Sequence, residues 1–255
     1  RVKATGVVRL DEVPYFEGAV DFQTGDLRGV AAWFGADIDP DLNLPGRLSN
    51  ASLRAVVQGT QARMILRDVA ASIDTSSFTG QMSWGSGARP LLGADLVVST
   101  LNVDAYLPLF EARASPATAL PSGAELSKPA AYGVTPAFAD LVGLADFDAD
   151  LRLQIDALTA GGIANGKVGL DLGLKDATLD VRSASFENVA GMTAWFSGGI
   201  SGFGVTPRFE DLQFDLSTSD LVRVGRALGF DVPAPLRSLT PVSLTGVVKG
   251  SFAQA

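Results

Sequence analysis

From Phe147 to Ile155 the chain alternates without a break: Phe147, Ala149, Leu151, Leu153 and Ile155 are apolar, and Asp148, Asp150, Arg152 and Gln154 are polar. A period of two is the signature of a β-strand with one face wet and one face dry, because successive side chains point to opposite sides. Such a strand has to sit in a sheet whose other members carry the same alternation in phase. Further candidates follow at Lys167 to Leu174, Ala177 to Ala184, Gly191 to Ile200, Phe209 to Leu216 and Val242 to Lys249. Before it stand Val2 to Leu10 and Phe16 to Phe22, with imperfect alternation, and four runs at Arg47 to Val57, Ala62 to Ile73, Phe78 to Trp84 and Ala94 to Val98. The four runs are separated by Gly59-Thr60-Gln61, Thr75-Ser76-Ser77 and Gly85-Ser86-Gly87, which supply turn chemistry, and Lys175-Asp176 is a candidate hairpin turn. Successive antiparallel strands with few helices predict a mainly β fold, with short amphipathic corner helices.

A second feature recurs. Phe22 to Gly35 reads as a strand end, a polar turn and a short amphipathic helix, with Leu27, Val30, Ala31 and Phe34 on one stripe. Leu216 to Gly229 repeats it with Leu221, Val224, Gly225 and Leu228. Val98 to Pro108 is a reduced copy. Thr24 or Asp26 in the first corner, and Ser219 or Asp220 in the second, can cap the helix, and Gly35 and Gly229 suit its left-handed stop. Helices of about ten residues are too short to stand alone in water, so each must lay its stripe on the sheet, turning the chain and closing an end of the apolar face. The repeat divides the chain into 1–108, an Ala-, Pro- and Ser-rich connection over 109–145, and a second β unit over 146–255. A helical turn is predicted near Phe138 to Val142 within the connection.

Composition narrows the chemistry. The 255 residues contain no histidine and no cysteine. That removes the commonest general base and zinc ligand, any thiolate site and any disulfide. No serine triad of the usual kind can form. A net charge of −8 without a basic cluster argues against nucleic acid as a partner. Asp37, Asp39 and Asp41 resemble the start of a calcium loop, but Leu42 stands where the loop needs glycine and Leu48 where it needs glutamate. Asp146, Asp148 and Asp150 share a strand face, which a solvated surface explains. Gly161-Gly162 and Gly198-Gly199 mark turns or bulges. The expectation is a protein without catalysis, cofactor or resident metal. No window is long and apolar enough for a spanning helix.

Several stretches resemble the AsmA family of bacterial envelope proteins: Phe147 to Ile155 (FDADLRLQI), the following LTAGGIANGKVGLDLGLKDATLDV, Leu96 to Pro108 (LVVSTLNVDAYLP), and Phe78 to Trp84. The likeness covers most of the chain outside Leu109 to Leu144. It implies an elongated, twisted antiparallel β-sheet curved into a groove that holds phospholipid acyl chains, a part in phospholipid transport between membranes and in outer-membrane biogenesis, and envelope proteins as partners. It also implies a periplasmic protein anchored to the inner membrane. The chain opens at Arg1 already in a strand-like pattern, which predicts residues upstream, and the resemblance places the anchor there. On this reading Phe147, Leu151, Leu153, Ile155, Leu170, Leu172, Met192, Phe196 and Phe214, with Phe78, Met82 and Trp84 from the first half, line the lipid-binding face. The alternation by itself more often marks a closed core under a second sheet or a helix, in which case the protein is a scaffold or assembly domain without lipid.

Overall fold

A computed structural model describes residues 1–33, 48–106, 146–202, 208–227, 232–237 and 241–251. Thirteen strands form one sheet: β1 (Val2–Arg9), β2 (Tyr15–Thr24), β3 (Ala51–Thr60), β4 (Arg63–Ile73), β5 (Ser76–Gly85), β6 (Leu91–Val98), β7 (Leu101–Asn102), β8 (Asp148–Ala160), β9 (Ile163–Lys175), β10 (Thr178–Val189), β11 (Met192–Ser201), β12 (Arg208–Thr218) and β13 (Val242–Ser251). Spatial order follows chain order, with the short β7 set beside β8, and the sheet does not close into a barrel. Among the described residues two short α-helices accompany it, α1 (Leu27–Trp33) and α2 (Leu221–Ala227). The mainly β fold read from the alternation is the fold observed, and the single open sheet is consistent with the curved groove that the resemblance implies.

Every neighbouring pair is antiparallel except at one seam, where β6 and β7 run parallel to β8. An antiparallel pair can be joined by two residues, whereas a parallel pair needs a crossover. Here the crossover carries the chain from Tyr106 at one end of the sheet to Asp146 at the other. The even-numbered strands consequently all run the same way, and both helical corners lie at the end where those strands finish.

That end is braced by carboxylates. In both corners the same two residues build the turn. Thr24 Oγ1 accepts the Asp26 amide, and Asp26 Oδ1 accepts the Gly29 amide. Thr218 Oγ1 accepts the Asp220 amide, and Asp220 Oδ1 accepts the Arg223 amide. The helix caps are therefore Asp26 and Asp220, with the threonine two residues before each setting the turn. The stripe residues Phe34 and Leu228, the stops Gly35 and Gly229, the acidic loop at Asp37 to Asp41 and the helical turn at Phe138 to Val142 lie outside the described residues.

The reduced corner differs from the reading above. Its described residues form β7 and a turn rather than a helix, closed by a hydrogen bond from the Tyr106 amide to the Val103 carbonyl. The reason is local competition: Asn102 Oδ1 takes the Ala105 amide, and the Asp104 carboxylate reaches away to the Gly161 and Gly162 amides at 2.8 and 2.9 Å. The hairpin turn after β9 also falls one residue later than predicted, on Asp176 and Ala177, both at positive φ.

Asp74, in the β4–β5 turn, ties three segments together. Its carboxylate accepts the Leu48, Ser49 and Asn50 amides and the Tyr106 hydroxyl, the last at 2.8 Å. Burial alone pushes this carboxyl up. The Tyr106 hydrogen bond and the three amides together outweigh it and hold the group below its ordinary value. A depressed carboxyl contributes stability above its unfolded pKa and loses it as the pH falls through the folded one. Asp74→Asn is thus expected to lower the urea midpoint at neutral pH. That gap to the parent should shrink as the pH drops below 3.8, the group's ordinary value. Paired urea titrations across the acid range check it.

Candidate functional site

Register converts alternation into a surface. Reading partners across the sheet, Phe16 faces Gly59, Gly59 faces Met64, and Met64 faces Trp84. Trp84 then faces Leu92, Leu92 lies beside Ala149, and Ala149 faces Leu174. Leu174 faces Leu179, and Leu179 faces Ile200. Paired residues share a face, so this row and its parallels belong to one side of the sheet. No Asp, Glu, Lys or Arg occupies an in-register position on that side from β1 to β13. The polar positions in those registers are Thr24, Ser76 and Thr218, all at the end where the corners lie.

All the residues read from the sequence as lipid-facing fall on this face. Phe147 precedes β8, which carries Leu151, Leu153 and Ile155. Leu170 and Leu172 lie on β9, Met192 and Phe196 on β11, Phe214 on β12, and Phe78, Met82 and Trp84 on β5. Pairing places them in rows: Phe78 with Val98 and Ile155, Met82 with Ala94 and Leu151, Leu170 with Leu153, and Phe196 with Phe214. Phe186 on β10 meets Phe196 edge to face, with centroids 6.1 Å apart.

The alternation missed Phe16, Val20, Leu53, Leu66, Val69 and Phe186, which share the face. For Leu66, Val69 and Phe186 the reason is a set of bulges; Phe16, Val20 and Leu53 lie on strands that keep the period of two. In β4 the register shifts between Leu66 and Val69, and Arg67 and Asp68 both turn outward. In β10 the shift falls at Arg182 and Ser183, and in β12 at Glu210 and Asp211. An inserted residue breaks the period of two while leaving both half-strands in phase. The available signal was two in-phase runs, such as Met64, Leu66 and then Val69, Ala71, separated by one extra position.

The bulges also give the sheet its curvature. Each adds a residue on the polar side, making that side the longer arc and the apolar side the concave one. Asp68 and Asp211 take left-handed φ of 50° and 51° to do so. Gly80 and Gly198, at φ of 142° and 132°, receive the bends from the next strand, where a Cβ would run into the Asp95 and Asp211 carbonyls. Cα atoms of β8 and β10 come within 8 Å across β9, against roughly 9.5 Å for two flat spacings.

Burial distinguishes an open trough from a closed core. The buried apolar residues are mainly small or β-branched: Ala55, Val57, Val69, Val98, Ala149, Val168, Val181, Ala184 and Ala194. They sit below the tops of larger neighbours. Leu151, Leu153, Leu170, Leu172, Phe78, Met82, Phe196 and Phe214 are only half-buried, and Trp84 is 45% exposed. Among the described residues no second sheet lies over them. Shallow recesses open on both sides of β1 to β4: about 170 Å³ on the apolar side, lined by Val8, Phe16, Gly59 and Met64 among others, and about 340 Å³ on the polar side, lined by Lys3, Asp21, Arg54 and Asp68 among others.

The convex face is charged and self-paired. Arg182 bonds Asp150 and Asp171, and Arg54 bonds Asp21 at 3.0 Å. Arg89 donates to Asp148 at 2.8 Å and, with the Asp176 amide, holds its carboxyl below the usual range. Asp148 and Asp150 are thereby engaged by arginines, and among the described residues no cluster of acids is arranged to hold a metal ion.

The chain matches no family model, no curated protein and no solved structure.

A single-layer sheet makes truncation costs uneven. Ile155 is 6% exposed within the cluster around Val98, Leu158 and Val168, so Ile155→Ala should cost about 3 kcal/mol. Leu170→Ala, at a residue only partly buried beside the same cluster, should cost less, about 2 kcal/mol. Urea denaturation of both variants checks this, and equal large losses would mean that Leu170 lies under a further layer.

Proposed function

We propose that this chain is an AsmA-like envelope domain whose groove shelters phospholipid acyl chains, in the service of lipid transport between the inner and outer membranes and of outer-membrane biogenesis. The observation that carries this reading is the concave face: apolar from edge to edge, free of charge in every register, and uncovered by a second sheet among the described residues. In this reading the protein acts in the periplasm, held to the inner membrane by a segment outside this chain, and works without catalysis.

The dimensions suit the task. Twelve strands side by side span roughly 50–55 Å, and a ten-residue strand roughly 33 Å. One acyl chain occupies about 15 Å, half of a hydrocarbon core. Chains can therefore lie along the trough with head groups in water beyond its rim. Each methylene laid on the apolar face contributes about 0.8 kcal/mol. No side chain in the registers of the trough offers a charge to a phosphate, so selection acts on the tail. The single-layer arrangement weighs against the closed-core scaffold.

Uptake of a fluorescent phosphatidylethanolamine tests the proposal. The parent chain should bind it. Leu153→Asp and Phe196→Asp should weaken binding by about tenfold or more, since each sets a charge against the tail. Thr79→Asp, on the convex face, should leave it unchanged. Circular dichroism separates lost uptake from lost fold. A parent that binds no lipid, or inner-face variants that bind as well as the parent, would overturn the reading.

A further inference from the structure

Over β8 to β13 most of the convex face answers its own charges. Arg152 pairs with Asp171 at 3.5 Å, Lys167 with Glu187 at 3.9 Å, Arg182 with Asp150 and Asp171, and Lys249 with Asp211. In their midst Trp195 and Asp215 stand directly opposite each other on β11 and β12. Trp195 points away from the trough, since its neighbours Ala194 and Phe196 face in, and it is 40% exposed.

Both members of this pair are open. Among the described residues the Trp195 indole makes no hydrogen bond and no ring contact, and Asp215 makes no ion pair. On β13 the Thr245 hydroxyl donates to Asp215 Oδ2 at 2.8 Å. That bond steadies the carboxylate and leaves Oδ1 without a partner among the described residues. Gly169 and Ser185 continue the row on β9 and β10, and Thr193 and Ser197 flank Trp195 along its own strand. These residues are short and uncharged, so they neither screen the indole nor supply it with a cation.

The pairing has a definite chemistry. Directly opposite residues hold their Cβ atoms about 4.5–5.5 Å apart, so one ligand group can touch both side chains. The face of an indole attracts a cation through its ring quadrupole. A carboxylate beside it adds a charge-assisted hydrogen bond. A guanidinium meets both demands, because it is planar enough to stack and carries a fork of donors at its edge. An ammonium is a compact, strongly hydrated point charge and stacks less well. The chain's net charge of −8 favours the approach of a cationic partner.

We propose that Trp195 and Asp215 receive an arginine side chain from another polypeptide, stacked on the indole and donating to Asp215 Oδ1. The contact lies on the face opposite the trough and does not depend on the trough's content.

A fluorescein-labelled peptide alternating arginine with serine should bind the 255-residue chain, and its lysine–serine counterpart should bind about fivefold more weakly. Trp195→Ala and Asp215→Asn should each weaken the arginine peptide by about fivefold or more, with the circular dichroism spectrum unchanged. Asp215→Asn is nearly isosteric, which keeps the test decisive if Trp195→Ala fails to fold. Asp95→Asn, at an exposed acid of β6 on the same face, should leave binding as it is in the parent. Failure of the arginine peptide to bind, or indifference to Asp215→Asn, would overturn the proposal. So would equal binding of the two peptides or an equal loss in Asp95→Asn, since either means diffuse attraction to an acidic chain. Self-association that Trp195→Ala abolishes would also overturn it, because the arginine would then belong to a second copy.

Discussion

The sheet depends on the phase of one seam. Where β6 meets β8, Leu92 lies beside Ala149, Ala94 beside Leu151, Leu96 beside Leu153 and Val98 beside Ile155. A slip of one residue there would turn the inner face of one half to the convex side of the other, since side chains alternate with a period of two. The seam lacks the tight hairpin that fixes register elsewhere, so other contacts pin it. Arg89 grips Asp148 and the Phe147 carbonyl at one end, and Asp104 grips the β8–β9 turn at the other. Between them the most buried residue, Val98, seats against Ile155 and Leu158. None of the polar contacts contributes much singly in an exposed setting. Their effect is geometric: they select the one register that keeps the apolar faces continuous.

The alternation at Phe147 to Ile155 made the sheet legible because no bulge interrupts it, and the residues drawn from such clean runs share one apolar face. The first half was harder to read. Arg67-Asp68 in β4 breaks the period where that strand bends. A bulge looks like noise in a sequence, because it is recognised by which residues pair across strands, and pairing is a long-range fact. The parallel seam was invisible for the same reason: strand direction is set by where the crossover returns. The corners were legible because capping is local. Thr24 and Asp26 stand to α1 as Thr218 and Asp220 stand to α2, all within one turn of the chain. The threonine of the second corner was overlooked because its neighbour Ser219 is an equally plausible cap by residue type.

A curved single layer also explains the distribution of side-chain size. In a two-layer fold large residues interdigitate with the opposite layer and become the most buried. Here alanine and valine are buried by their neighbours along and across strands, and leucine, phenylalanine and methionine stand above them half-wet. Curvature concentrates this effect. Where β8 and β10 draw together across β9, the inner side chains converge, and Ile155, Val168, Ala184 and Phe186 pack closely enough to bury three of the four. The concave side is thus both the most apolar and the most crowded part of the sheet, without being sealed.

Such a sheet leaves part of its own driving force unused. Each half-wet leucine on the trough retains apolar surface worth about 25 cal/mol per Å² if it were covered. A folded protein that leaves such surface bare is less stable than one that buries it, so an apolar occupant and the fold stabilise each other by mass action. This coupling holds for any apolar occupant that covers the trough, whatever its polar end.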